Sequence, residues 1–204
     1  MSPKKVLREF QSTIAQTKSF IATAHAMDTN GKYLRSIEER VLITESSFLR
    51  IFIAWEAFLE KSFVNYLRGK KSLTGKKIKR YAKPVDDNHA MKLLIGTNRY
   101  VKWSNSQTVR KLAELFFENG EPFETILASI ETDLNDLQTI RNAAAHISST
   151  TSRELDGLGT RKLKKPCLNI HVYDLILAID PNITSNTILK TYTDILDVAS
   201  TQIT

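Results

Sequence analysis

Apolar residues recur at three- and four-residue spacing along most of the chain, the mark of helices that bury one face. Val6, Leu7, Phe10, Ile14 and Ile21 keep this period over residues 4–27, and Asp28-Thr29-Asn30-Gly31 follows as a stop signal. A second helix is expected over residues 33–42 and a third from 44 or 45 to 67 or 68; the weak interruption at residues 44–47 leaves their continuity open. The third has an aromatic stripe of Phe48, Phe52, Trp55, Phe58, Phe63 and Tyr66. Residues 87–94 read as a short helix capped by Asp86 or Asp87. Residues 98–104 read as a loop, with Tyr100 and Trp103 as packing or base-stacking groups. Residues 106–118 form a clearer helix with Val109, Leu112, Leu115 and Phe116 inward, ended by Asn119-Gly120. Pro122 opens a long central helix, in the turn where proline is tolerated, whose stripe runs from Ile126 through Leu134, Leu137 and Ile140 towards His146. Residues 148–159, dense in Ser, Thr and Gly, read as an exposed loop, residues 167–172 as an extended piece and residues 173–179 as a helical turn stopped by Asp180-Pro181-Asn182. Thr184 or Ser185 then caps a last helix with Ile188, Leu189, Tyr192, Ile195, Leu196 and Ala199 inward.

Composition agrees with this pattern. Only 7 glycines and 5 prolines in 204 residues argue against an all-β sandwich, and 42% hydrophobic content argues against disorder. One all-α domain spanning residues 1–204 is expected, without internal repeat or linker. The single cysteine, Cys167, has no partner for an internal disulfide, which suits a reducing compartment; it reads as an inert, partly buried thiol. No stretch has the length and apolarity of a membrane span. The basic start lacks an apolar signal region, because Gln11, Ser12, Gln16 and Lys18 interrupt it. A cytoplasmic protein is expected.

Charge adds a partner. The excess of 29 basic over 22 acidic residues is concentrated in two places. Residues 68–83 carry Arg68, Lys70, Lys71, Lys76, Lys77, Lys79, Arg80 and Lys83 with no acid, and Gly69, Gly75 and Pro84 make the run loop-like. An NTP-binding loop is rejected: five residues separate Gly69 from Gly75, Lys77 stands where Ser or Thr is needed, and no strand leads in. The second cluster is Arg161, Lys162, Lys164 and Lys165. Either run could be a solvated surface, but together they favour contact with nucleic-acid phosphates.

Candidate chemistry is concentrated at the end of the central helix. The histidines His25, His89, His146 and His171 show no metal-ligand spacing, so no metal and no cofactor are expected. Arg141, Asn142 and His146 are separated only by alanines, which leaves them sterically open. Asn142 and His146 lie one turn apart on one face, with Arg141 at its edge. A histidine exchanges protons near neutral pH, an arginine grips a phosphate at two points, and an amide orients either. The set suits metal-free RNA cleavage, in which the ribose 2′-hydroxyl attacks the adjacent phosphate; DNA lacks that hydroxyl. The competing explanation is structural: Arg141 pairs with an acid such as Glu56, which is flanked by Trp55 and Phe58, while His146 ends the helix.

The run Arg141-Asn142-Ala143-Ala144-Ala145-His146 resembles the signature of HEPN-superfamily ribonucleases: an arginine, commonly a polar residue next, and a histidine a few positions on. The setting is similar too. The family is a helical bundle with this motif late in a long helix and an acid on an earlier aromatic-rich helix, here Phe52-Ile53-Ala54-Trp55-Glu56-Ala57-Phe58. Its final helix, after a Pro-containing turn, has a counterpart from Thr184. The resemblance runs from about the second helix onward and is nearest to the stand-alone RiboL-PSP-HEPN or MAE-type groups of bacterial toxin and defence systems. It implies a HEPN-like helical bundle and a metal-independent endoribonuclease. It further implies a homodimer whose two motifs face each other to form one composite site. His146 would be the acid/base, Arg141 the phosphate-binding group, Asn142 the polar second position and Glu56 a supporting acid. A cognate antitoxin or defence partner is also implied. Members with degraded motifs are non-catalytic, but here both defining residues are present; the alternative for this chain is a non-catalytic HEPN-like RNA-binding or antitoxin-binding module.

Overall fold

Helices form wherever the apolar period is sustained and a polar side chain closes the first turn. The computed structural model describes residues 1–146 and 148–204. Among them are nine α-helices and one two-stranded sheet, so the protein is all-α. Helix α1 (Pro3–Ala24) starts on a proline and buries Val6, Phe10 and Ile14. Tyr33, expected in a helix, instead bridges Met27 across the turn at residues 28–32. Helix α2 (Ile37–Leu67) begins later because Ser36 and Glu39 form a reciprocal cap: Ser36 Oγ accepts from Glu39 N at 3.2 Å, and Ser36 N donates to Glu39 Oε2 at 2.9 Å. It then runs unbroken for 31 residues, because residues 44–47 contain no breaker and Thr44 and Ser47 are buried within it.

Helix α3 (Asp87–Ile95) is capped by Asp86, as expected. Helix α4 (Ser106–Phe116) buries Val109 and Ala113, followed by Phe117; Leu115, expected inward, is 65% exposed because the inward phase passes through Ala113 instead. The single central helix is two. Helix α5 (Phe123–Ser129) ends at Ile130 (φ −115°, ψ 18°), and α6 (Glu131–Ala145) follows. At the break the Ser129 hydroxyl bonds Ile126 O at 2.8 Å, competing with the backbone ladder.

The expected loop at residues 148–159 is helix α7 (Ser149–Leu163). Ser148 and Thr151 form a capping box there, and Leu155 and Leu158 are buried. Residues 167–171 are irregular coil, and α8 (Val172–Leu177) follows. Asp180-Pro181-Asn182 turns a small hairpin, β1 (Ile179–Asp180) antiparallel to β2 (Ile183–Thr187). Thr184 and Ser185 therefore lie in a strand, and the cap of α9 (Ile188–Ile203) is Thr187, whose Oγ1 accepts from Lys190 N at 3.2 Å. Among the described residues no helix is long and apolar enough to cross a membrane.

The chain forms two compact units. One comprises Met1–Gln11, Ala54–Asn135 and Ile195–Thr204; the other comprises Ser12–Ile53 and Asp136–Asp194. Helices α1, α2, α6 and α9 each give residues to both. The first unit has an aromatic core in which Phe63 meets Phe117 at 4.8 Å, Phe123 at 4.9 Å and Trp103 at 5.7 Å between ring centroids. Trp103 is thus a packing group, while Tyr100 is exposed. The second unit buries Leu137, Ile140, Leu155, Leu158, Ile176 and Tyr192, and carries the Arg141 motif.

Candidate functional site

The last turn of α6 holds Arg141, Asn142 and His146 together. Arg141 and Asn142 are half-buried, and Arg141 Nη1 donates to Asn142 Oδ1 at 3.3 Å. Ala145 is the last helical residue, yet His146 N still donates to Asn142 O at 2.9 Å, extending the ladder by one step. The His146 carbonyl accepts from Thr151 Oγ1 at 2.7 Å, which fixes its backbone to the first turn of α7. The residue is exposed, and among the described residues no hydrogen bond to its imidazole is seen. Asn142 thus meets Arg141 through its side chain, whereas its carbonyl takes only the ordinary helical bond from His146 N. Glu56 is half-buried on α2 in the first unit, while Arg141 belongs to the second.

One turn earlier, the structure adds a residue that the hydrophobic pattern concealed. Asp136 falls in phase with the buried Leu137 and Ile140 and is itself only 3% exposed. Arg161 Nη2 contacts its Oδ1 at 2.7 Å, while Lys162 Nζ at 2.9 Å and the Tyr192 hydroxyl at 3.0 Å reach Oδ2. Burial pushes this carboxyl up, but the hydrogen bonds and charges of Arg161 and Lys162 outweigh it and hold it below the ordinary carboxylate value. Lys162 Nζ also lies 4.9 Å from the Tyr192 ring centroid. Lys164 donates to Asn182 Oδ1 at 2.7 Å, and Lys165 is exposed. Most of this cluster answers the protein's own groups. An acid in the inward phase of a helix was the available signal.

The first basic run is a loop, as expected, pinned by a Lys71–Lys77 bridge and by acids brought from elsewhere in its unit. Lys76 pairs with Glu121 at 2.6 Å, Lys79 with Glu118 at 2.9 Å and Arg68 with Asp87 at 3.3 Å, while Lys70 donates to the Met1 carbonyl. The hydrogen bond from Lys79 to Glu118 raises the ammonium pKa. The Arg80 guanidinium sits against Gly69, whose φ of +81° favours glycine; a Cβ there would displace that side chain. Lys71 and Lys77 are exposed, and among the described residues neither has an acidic partner. Cys167 is half-buried, with its N–H on Thr160 Oγ1 at 3.0 Å. Among the described residues no group of three or more His, Cys, Asp or Glu side chains is placed to hold a metal ion.

No family model, no curated protein and no solved structure matches the chain.

Proposed function

We propose that the chain is a metal-independent endoribonuclease of HEPN type, in which Arg141, Asn142 and His146 form half of a site completed by a second copy. The observation that carries this reading is an exposed histidine just past the end of α6, one turn after a half-buried arginine whose guanidinium donates to Asn142. In this mechanism one His146 takes the proton from the ribose 2′-hydroxyl, and the 2′-oxygen attacks phosphorus. The bond from phosphorus to the 5′-oxygen breaks, and the His146 of the second copy protonates that leaving oxygen. The products are a 2′,3′-cyclic phosphate and a 5′-hydroxyl. Arg141 neutralises the charge that accumulates on the phosphoryl oxygens. Lys71 and Lys77 supply the contact with further phosphates. As a toxin or defence effector, such an enzyme would be restrained by a cognate partner protein.

The test is incubation of single-stranded RNA with the protein in EDTA. Cyclic-phosphate ends are expected, with cutting reduced roughly 10²–10⁴-fold in His146→Ala, the usual size of a lost acid–base group. Arg141→Ala should lose cutting as well, with far-UV circular dichroism unchanged. Undiminished cutting by the folded double variant would overturn the assignment. Salt-sensitive RNA binding without any product would favour a non-catalytic RNA-binding module, for which Lys71 and Lys77, exposed and without an acidic partner among the described residues, already speak.

A further inference from the structure

A cavity of about 330 Å³ opens in the second unit against the alanines of the motif. Its apolar lining comes from Ala143 and Ala144 of α6, Leu155 of α7 and Val172 of α8. The short side chains that leave Arg141 and His146 accessible also leave this space unfilled. Thr151 lines the cavity and donates to the His146 carbonyl, so the wall and the histidine are joined by one hydrogen bond. The volume lies at the lower end of the ~300–1,000 Å³ of small-molecule sites, enough for one planar ring system with its sugar.

Polar side chains complete the lining of the cavity. Glu45 of α2 lines it, and its Oε1 accepts from Tyr173 N at 3.1 Å, which anchors the carboxylate and leaves the second oxygen with acceptor capacity. Asn169 and His171 line it from the coil before α8. That coil is fixed by Asp156, which accepts from Asn169 N at 3.0 Å and Ile170 N at 2.9 Å. An acceptor-only carboxylate, an amide and an imidazole around an apolar slot match the edge and faces of a heterocyclic base. Unpaired RNA is read in this way, with the base splayed into a pocket and hydrogen-bonded at its edge.

We propose that this cavity takes one unpaired nucleobase of the RNA substrate, and that Glu45 selects bases carrying an amino group (guanine, adenine or cytosine) over uracil. A carboxylate only accepts: an exocyclic NH₂ group donates to it freely, whereas uracil's one edge donor, N3–H, lies between two carbonyl oxygens that repel the carboxylate. The assignment rests on the ribonuclease reading for its substrate class, and its test does not depend on cleavage. Binding of GMP, AMP, CMP and UMP to the full-length chain is followed by NMR titration. The amino-bearing nucleotides should bind about tenfold or more tightly than UMP, the scale at which a site built for a hydrogen bond discriminates. Glu45→Gln should bring the nucleotides to within threefold of one another. Ala144→Leu should abolish binding by filling the slot. Ser152→Phe, on the half-exposed first turn of α7, should do the same from the mouth without entering the core.

Equal affinity for the nucleotides, or binding that survives both filling substitutions, overturns the assignment. Nucleotide binding with these dependences in a protein that cuts no RNA leaves the cavity assigned and removes the nuclease reading. Cutting that depends on Arg141 and His146, with a base preference at the cut indifferent to Glu45→Gln and Ser152→Phe, does the reverse.

Discussion

At Asp136 a buried carboxylate is surrounded by an arginine, a lysine and a phenol, and its ionised form is what the folded protein prefers. Its pKa is depressed on folding, so it stabilises the fold above the ordinary aspartate pKa of 3.8 and loses that contribution as pH falls below it. Asp136→Asn should cost about 3 kcal/mol near neutral pH, the lower end for removing one member of a buried ion pair, because Arg161 keeps access to solvent. Urea denaturation at pH 7 and at pH 3 checks this, and the difference between variant and parent should shrink at the lower pH. His25 behaves differently. Burial, and then the charge of Arg40, lower its pKa, and its ring stacks on Tyr173 at 5.7 Å between centroids. The folded state thus favours neutral His25, so stability should decline as pH falls through 6.5, and His25→Phe should flatten that decline in thermal melts. At this scale the sequence reveals chemistry better than company. Arg141, Asn142 and His146 stand out by type and spacing, whereas the pairing of Arg161 and Lys162 with Asp136 depends on contacts 25 residues or more apart in the chain.

Helix α7 depends on its first turn, since it carries Gly157 and Gly159 and only a sparse apolar stripe. Ser148→Ala removes the hydroxyl that accepts from Thr151 N and should lower stability by about 1 kcal/mol, read as a shift in the thermal midpoint. Thr151→Val breaks the same cap and also releases the His146 carbonyl, so it should impair RNA cutting more than Ser148→Ala at similar stability cost. Helices with dense apolar stripes, α1, α4 and α9, are legible from the chain alone. Those whose bounds lie at single hydroxyls are not: Ser129 bonds back to Ile126 O where α5 stops, and Ser148 caps α7 amid residues that resemble a loop. The basic loop makes the same point for charge. A run without acids looks uniformly cationic, but Glu118 and Glu121 neutralise two of its lysines. Lys71→Glu and Lys77→Glu should therefore weaken RNA binding more than Lys76→Gln and Lys79→Gln. Each lost phosphate contact should lower the slope of log affinity against log salt by about 1.

For the whole molecule, a site completed by a second copy, as proposed, would tie activity to association. Specific cutting should fall faster than enzyme concentration below the dimer dissociation constant, and a disulfide or tandem fusion that holds two copies together should remove the effect. A rate proportional to concentration across the monomer–dimer transition measured by ultracentrifugation would show that one chain suffices. The division of the chain has its own practical result. One unit draws on three separate stretches and the other on two, with each seam falling inside a helix. The gene therefore offers no place to cut. Trimming from either side damages the unit that holds the basic loop before it reaches the motif, so a truncation series would report loss of fold at each step and say nothing of the motif. Dissecting this molecule calls for point substitutions, or for co-expressed fragments that reassemble.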